Sequence, residues 1–248
     1  MTKWIKGQVV ENKQWNDSLH SLRVQADFPA FKAGQFTRLA IEIDGELVSR
    51  PFSLVNAPGE QPLDFYFIEV LDGKLSMPLA HMKPGDEVLV APRAAGLLIL
   101  DHLPPARHLH LLSTGTGIGP FLSIIKTEQP WQLFEKVVLV HAVREESELT
   151  YQDTIRQVLA EHGDQFIYVP FVSREQCNFA LSGRIPQAIL DGRLEERTGL
   201  RFNAEDSQVM LCGNPDMVQE TMDTLIAERG MKKHSRRDPG QISIEKYW

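Results

Sequence analysis

From Trp4 to about Leu100, apolar and polar residues alternate with a period of two, and the alternation breaks at Ala33-Gly34, Asp44-Gly45, Pro58-Gly59, Asp72-Gly73 and Pro84-Gly85. A period of two places alternate side chains on opposite faces of a strand. Short strands separated by such turn pairs predict a small antiparallel barrel or sandwich. The strands fall at Trp4–Glu11, His20–Gln25, Gln35–Ile43, Leu47–Val55, Leu63–Glu69 and Glu87–Ala91. The proline-rich segment Asp101–Ala106 changes the pattern, so the chain divides into residues 1–100 and 107–248.

Beyond that boundary the hydrophobic positions run together instead of alternating. His108–Ser113, Val137–Ala142, Phe166–Val172 and Val209–Cys212 are continuous apolar runs, the mark of strands buried on both faces of a parallel sheet. Helical patterns or long crossovers separate them, and Asp216–Arg229 ends at Gly230 as a helix with a glycine cap should. The prediction is a doubly wound α/β domain, whose ligands bind beyond the carboxyl ends of the strands. Where the first run ends stand Gly115, Gly117 and Gly119, then Pro120. Three glycines let backbone approach a ligand closely, and a helix starting at Pro120 would aim its positive end at the turn. The spacing matches neither G-x-G-x-x-G nor G-x-x-x-x-G-K-[ST], so the turn is either a phosphate site or a plain tight turn.

Composition narrows the classes. The 248 residues suffice for two ordinary domains, and 26 Lys+Arg against 33 Asp+Glu give a net charge of -7. That balance argues against a general binder of nucleic acid or anionic membrane. The N-terminal residues lack a signal-peptide core, and no segment reaches the roughly 18 apolar residues of a membrane span, so the expected location is cytoplasmic. Two cysteines, Cys177 and Cys212, without C-x-x-C, cannot supply a cysteine-rich zinc site or a four-thiolate iron–sulfur cluster. His108 and His110 share one strand face but have no third ligand at a suggestive spacing, so no metal is expected. The G-x-S-x-G and H-E-x-x-H signatures are absent.

The residues that follow the apolar runs carry the remaining chemistry. They are Val143-Arg144, Ser173-Arg174, and Cys212-Gly213-Asn214-Pro215, with Arg184 nearby in S-G-R-I-P. A ribose 2′-hydroxyl calls for an acidic partner and a 2′-phosphate for a guanidinium. Ser173, Arg174 and Arg184 therefore favour NADP(H) over NAD(H). The alternative is that these arginines are solvated or pair with Glu145, Glu146 or Glu175.

A barrel followed by a nucleotide-binding α/β domain is the order found in flavin reductases. R-P-F-S, Arg50 to Ser53, resembles the R-x-Y-S flavin motif of the ferredoxin–NADP reductase family, and D-G-K-L-S, Asp72 to Ser76, is similar to its flavin-phosphate loop. G-T-G-I-G-P, C-G-N-P and the ending E-K-Y-W match the bacterial branch in kind and order, so the resemblance spans the whole chain. It implies FAD and NADP(H) as cofactors, and an enzyme that moves electrons between NADPH, as hydride, and a one-electron carrier, ferredoxin or flavodoxin.

On this sequence the resemblance places Arg50, Pro51, Phe52, Ser53, Lys74, Leu75, Ser76 and Thr116 at the FAD. Tyr247 would cover one flavin face opposite Phe52, and Trp248 the adenine of a bent FAD. Val143, Arg144, Ser173, Arg174 and Arg184 would take the NADP adenosine end, and Asn214, Pro215, Asp216 and Met217 its path to the flavin. Ser53, Cys212, Glu245 and Tyr247 are the catalytic candidates. Phe52 departs from the motif tyrosine: the ring survives and one hydroxyl is lost. Lys232, Lys233, Arg236 and Arg237 form a basic stretch suited to steering an acidic carrier or, alternatively, a solvated loop. A monomer is expected. The rival readings are the reductase component of an oxygenase and a flavin-binding regulatory subunit without turnover. The intact C-G-N-P and S-R pairs argue against the second.

Overall fold

The computed structural model describes Lys3 to Lys246. These residues form two compact units. One takes the chain up to Ile99 together with Gly119–Thr127; the other takes Leu100–Ile118 and the chain from Glu128 onward.

The first unit is built from β1 (Ile5–Gln14), β2 (Leu19–Gln25), β3 (Phe36–Ile43), β4 (Glu46–Ser53), β5 (Leu63–Ile68) and β6 (Glu87–Val90). They form an antiparallel sheet in the order β4-β3-β6-β1-β2-β5. The sheet curls until its two edges meet: Leu54 bridges Phe65, and Val55 N donates to Asp64 O at 3.0 Å. The alternating apolar residues fill the interior, with Leu22, Val24, Leu39, Leu63, Phe65 and Val90 fully buried. The short helix α1 (Ser76–Ala80) lies between β5 and β6. Asn12 on β1 holds its end, donating from Nδ2 to the carbonyls of Leu79, Ala80 and Met82 at 2.9–3.0 Å.

Helix α2 (Gly119–Ile125), which the sequence groups with the second half, belongs to this first unit. All seven of its residues are buried. Ser123 Oγ donates to Asn56 O at 2.8 Å, and Lys126 Nζ just beyond it to Val55 O at 3.3 Å.

In the second unit, β7 (His108–Thr114) is followed by helix α3 (Gln129–Leu133), β8 (Lys136–Val143), α4 (Gln152–His162), β9 (Phe166–Val172) and the two-residue β10 (Leu181–Ser182). Then come α5 (Ile185–Leu190), α6 (Arg193–Thr198), β11 (Ser207–Gly213), α7 (Pro215–Arg229) and β12 (Ile242–Lys246). The sheet is wholly parallel, in the order β10-β9-β8-β7-β11-β12. Strand order reverses between β7 and β11, the place where such sheets open a ligand crevice. The continuous apolar runs are buried as expected, and α7 ends at Gly230 with φ +60°.

The hydrophobic pattern assigns no element to Glu245 and its neighbours, which the resemblance treats as a C-terminal tail returning to the flavin. Ile242–Lys246 instead add a parallel edge strand, Val209 to Gly213 on β11 pairing with Ile242 to Lys246 in register. A five-residue strand reached through the polar loop after α7 is too short to register as a hydrophobic period. Tyr247 and Trp248 lie outside the described residues. Among the described residues no helix is long and apolar enough to cross a membrane.

Candidate functional site

The candidate flavin residues of the first unit sit on two segments. Arg50, Pro51, Phe52 and Ser53 end β4, which pairs with β3 alone along its length. An edge strand tolerates Pro51, because the N–H it lacks is not needed by a second neighbour. The residues grade from solvent to core: Arg50 and Pro51 are exposed, Phe52 is half-buried and Ser53 is buried. Phe52 meets Phe67 edge-on, with centroids 5.8 Å apart, so the ring is braced by the barrel core. The Arg50 guanidinium donates to Ser49 O at 2.8 Å and has no carboxylate partner among the described residues.

Lys74, Leu75 and Ser76 lead into α1. The loop before them is folded on itself: Gly73 N donates to Val70 O at 2.8 Å, and Ser76 Oγ accepts from Val70 N at 3.1 Å. Leu75 is buried as the anchor and Lys74 is exposed. Arg50 and Lys74, both exposed and without a carboxylate partner among the described residues, have the chemistry that fits a diphosphate.

In the second unit the glycine turn packs against the end of a neighbouring strand. Residues Gly115–Ile118 form a 3-10 turn that runs straight into α2. A Cβ on Gly117 would lie 2.6 Å from the Cys212 carbonyl oxygen and 2.7 Å from Gly213 Cα. The glycine is therefore required for the turn to press on the end of β11. On the other side, Nε2 of the fully buried His141 lies 3.1 Å from Gly115 O and donates to it. Burial holds this imidazole neutral, its pKa lowered to about 4. Thr116, placed at the flavin by resemblance, is buried in the same turn.

Two of the four catalytic candidates are brought together. Cys212 on β11 and Glu245 on β12 are register partners, and Ser113 on β7 and His141 on β8 continue the same row. Residues in register on adjacent parallel strands share a face. Burial pushes the Glu245 carboxyl up to about 7, so it exchanges a proton readily near neutral pH. Ser53 belongs to the other unit, and Tyr247 lies outside the described residues.

The candidate NADP residues gather at the carboxyl edge of the sheet. Val143, Val172 and Ser182 are in register across β8, β9 and β10. Arg144, Ser173-Arg174 and Arg184 follow directly after them. All three arginines are exposed, and none forms an ion pair among the described residues, so the expected alternative of pairing with Glu145, Glu146 or Glu175 is not what the structure holds. Ser173 Oγ donates to Val143 O at 3.2 Å. Asn214 caps α7: its Oδ1 accepts from Asp216 N at 2.9 Å and Met217 N at 3.2 Å, Pro215 takes the first helical position, and Asn214 N donates to Thr114 Oγ1 at 2.9 Å. That bond ties the ends of β7 and β11 together at the strand-order reversal.

His108 and His110 share a face, as the sequence predicts, with rings 6.5 Å apart; His110 packs on Phe202 at 4.4 Å and is fully buried. Sequence reasoning missed Glu148, and took Glu175 for a partner of the arginines where it instead accepts from backbone; the two carboxylates brace the loops carrying Arg144 and Arg174. It also missed His141, whose one signal was a polar residue inside an apolar run.

Residues 111–223 match the oxidoreductase NAD-binding domain. Together with the barrel and the cation-lined strand ends, this places the chain in the class of two-unit redox enzymes built on that domain. A ferredoxin NADP+ reductase from Neisseria gonorrhoeae, solved with bound FAD and NADP, is similar over 100% of both chains, with a TM-score of 0.94 and 31% identity. The flavodoxin/ferredoxin–NADP reductase of Escherichia coli (strain K12) is 46% identical over 100% of both chains. The ferredoxin–NADP reductase of Pseudomonas aeruginosa is 41% identical over 99% of this chain and 98% of its own. The chain belongs to the flavodoxin/ferredoxin–NADP reductase family.

Proposed function

We propose that the chain works as its family does, as an FAD-dependent enzyme moving electrons between NADPH and ferredoxin or flavodoxin. One observation carries the assignment of the nucleotide: three exposed guanidiniums, Arg144, Arg174 and Arg184, follow three in-register strand ends and are not neutralised by any described carboxylate. A 2′-phosphate supplies the missing charge, and a 2′-hydroxyl does not.

The bound flavin supplies acceptance of a hydride and release of the electrons one at a time. The protein's part is orientation and charge. Arg50 and Lys74, with the backbone at Leu75 and Ser76, hold the FAD diphosphate, Pro51 packs against the cofactor, and Phe52 offers its braced ring to the flavin. Thr116 lies in the turn fixed by His141 and Gly117. Val143, Ser173 and the three arginines bind the adenosine end of NADPH, and Asn214 to Met217 line the remainder. Ser53 and Glu245 handle the proton that accompanies two-electron transfer, Glu245 being suited to it by a carboxyl raised to about 7, and Cys212 lies beside the nicotinamide.

The acidic carrier docks at Lys233, Arg236 and Arg237. Lys232 contributes less, because it pairs with Asp238. The enzyme acts as a cytoplasmic monomer.

The test is nucleotide preference. Replacing Arg174 and Arg184 by alanine should raise KM for NADPH by about tenfold or more, as expected for loss of charge-assisted phosphate contacts, and leave KM for NADH nearly unchanged. An unaltered preference overturns the assignment.

A further inference from the structure

The loops after β8 and β9 are laced to each other. Ser173 N and Oγ both donate to Val143 O, at 3.1 and 3.2 Å, and Arg174 N donates to Arg144 O at 2.8 Å. Two carboxylates complete the lacing. Glu148 Oε2 accepts from Arg144 N at 2.8 Å, and Glu175 Oε2 accepts from Glu146 N at 2.7 Å, at the start of the 3-10 turn Glu146–Glu148. Each acid stands within a few residues of an arginine in sequence, yet each is engaged with backbone N–H while the guanidiniums stay unpaired.

From this we infer that Glu148 and Glu175 are positioning residues for recognition of the nucleotide 2′-phosphate, Glu148 acting through the backbone of Arg144 and Glu175, next to Arg174 in the chain, through that of Glu146. The inference rests on the reading of those arginines as the phosphate site. A carboxylate bonded to an N–H fixes the dihedral angles around it more firmly than a neutral acceptor does. Loops held in this way lose less freedom when they bind a ligand. The same carboxylates also repel a phosphate through space, an effect of opposite sign. The two effects separate by substitution: Glu→Gln removes the charge and keeps a carbonyl acceptor, whereas Glu→Ala removes both.

The experiment uses the full-length flavin-loaded protein, with 2′-phospho-AMP and AMP as probes, on E148Q, E148A, E175Q, E175A and the double variant Arg174→Ala/Arg184→Ala. The Ala variants should bind 2′-phospho-AMP about tenfold more weakly, the scale of a lost charged hydrogen bond at a partly exposed site, with AMP affinity unchanged. The Gln variants should stay within about twofold of the parent or bind more tightly. Equal tightening by Gln and Ala would assign the acids to repulsion alone. Unchanged binding in both Ala variants would assign loop order to the backbone lacing, and either result overturns the proposal. If the double arginine variant binds 2′-phospho-AMP normally, the phosphate-site reading itself fails; if it binds weakly while the Ala variants do not, only the positioning role falls. Equal flavin absorbance and melting temperature across the set exclude loss of fold as the cause.

Discussion

A methyl group at position 117 has nowhere to go, since three backbone atoms of β11 lie within 2.7 Å of where it would stand. Backbone cannot swing aside as a side-chain tip does, so Gly117→Ala should cost about 1–3 kcal/mol by overpacking. Gly115→Ala meets nothing within 4 Å, and its φ of +52° is the whole penalty, about 1–2 kcal/mol for a left-handed residue. Urea midpoints separate the two, and the flavin adds a second readout. Because Gly117 braces the turn that carries Thr116, its alanine variant should release FAD more readily at equal stability loss. Equal FAD retention in both variants would show that the turn does not support the cofactor. At this scale the sequence was informative about kind and silent about reason. Three glycines after a strand announce close backbone approach, but whether ligand or neighbouring strand makes the approach depends on β11, nearly a hundred residues away.

Among elements, the six barrel strands and the four long parallel strands lie within a few residues of their predicted positions, because apolar periodicity or flanking turn pairs such as Pro84-Gly85 before β6 mark each of them. β10 and β12 have two and five residues and are held by partners rather than by their own periodicity. Much of the site followed the same division. The arginines were legible from their place after strands, whereas the adjacency of Cys212 and Glu245 required β12, and the bracing by Glu148 and Glu175 required loop geometry. The loop before β12 yields a prediction of its own. Lys232 is balanced by Asp238, and Lys233, Arg236 and Arg237 are exposed without a described carboxylate partner. Lys233→Glu with Arg237→Glu should slow reduction of flavodoxin about tenfold at low ionic strength, less in salt, and leave ferricyanide reduction unchanged. Lys232→Gln should do little. Equal slowing with both acceptors would move the defect to the flavin.

For the molecule as a whole, stability should follow pH through groups whose charged forms burial disfavours. The His110 pKa is lowered to about 3 and that of His141 to about 4, burial being the first cause in each. Both imidazoles are neutral in the fold and protonate near 6.5 when unfolded. Their stabilisation is present above pH 6.5 and is lost as pH falls towards those lower values. Glu245 opposes them: raised to about 7 from 4.5, it keeps its proton in the fold, so its contribution fades as pH rises from 4.5 to 7. His110→Phe isolates one group. The stability of the parent relative to this variant should fall by about 1.4 kcal/mol per pH unit between pH 6.5 and 4.5, and parallel pH profiles would show His110 to be protonated in the fold. Connectivity has a different consequence, for recombination. Helix α2 lies in the chain between β7 and β8 but packs with the barrel, through Ser123 on Asn56 and Ile124 near Gly34. A hybrid that joins the barrel of one reductase to the nucleotide unit of another cannot be made with a single crossover near residue 100. It needs three junctions, so that residues 119–127 come from the same parent as the barrel they complete.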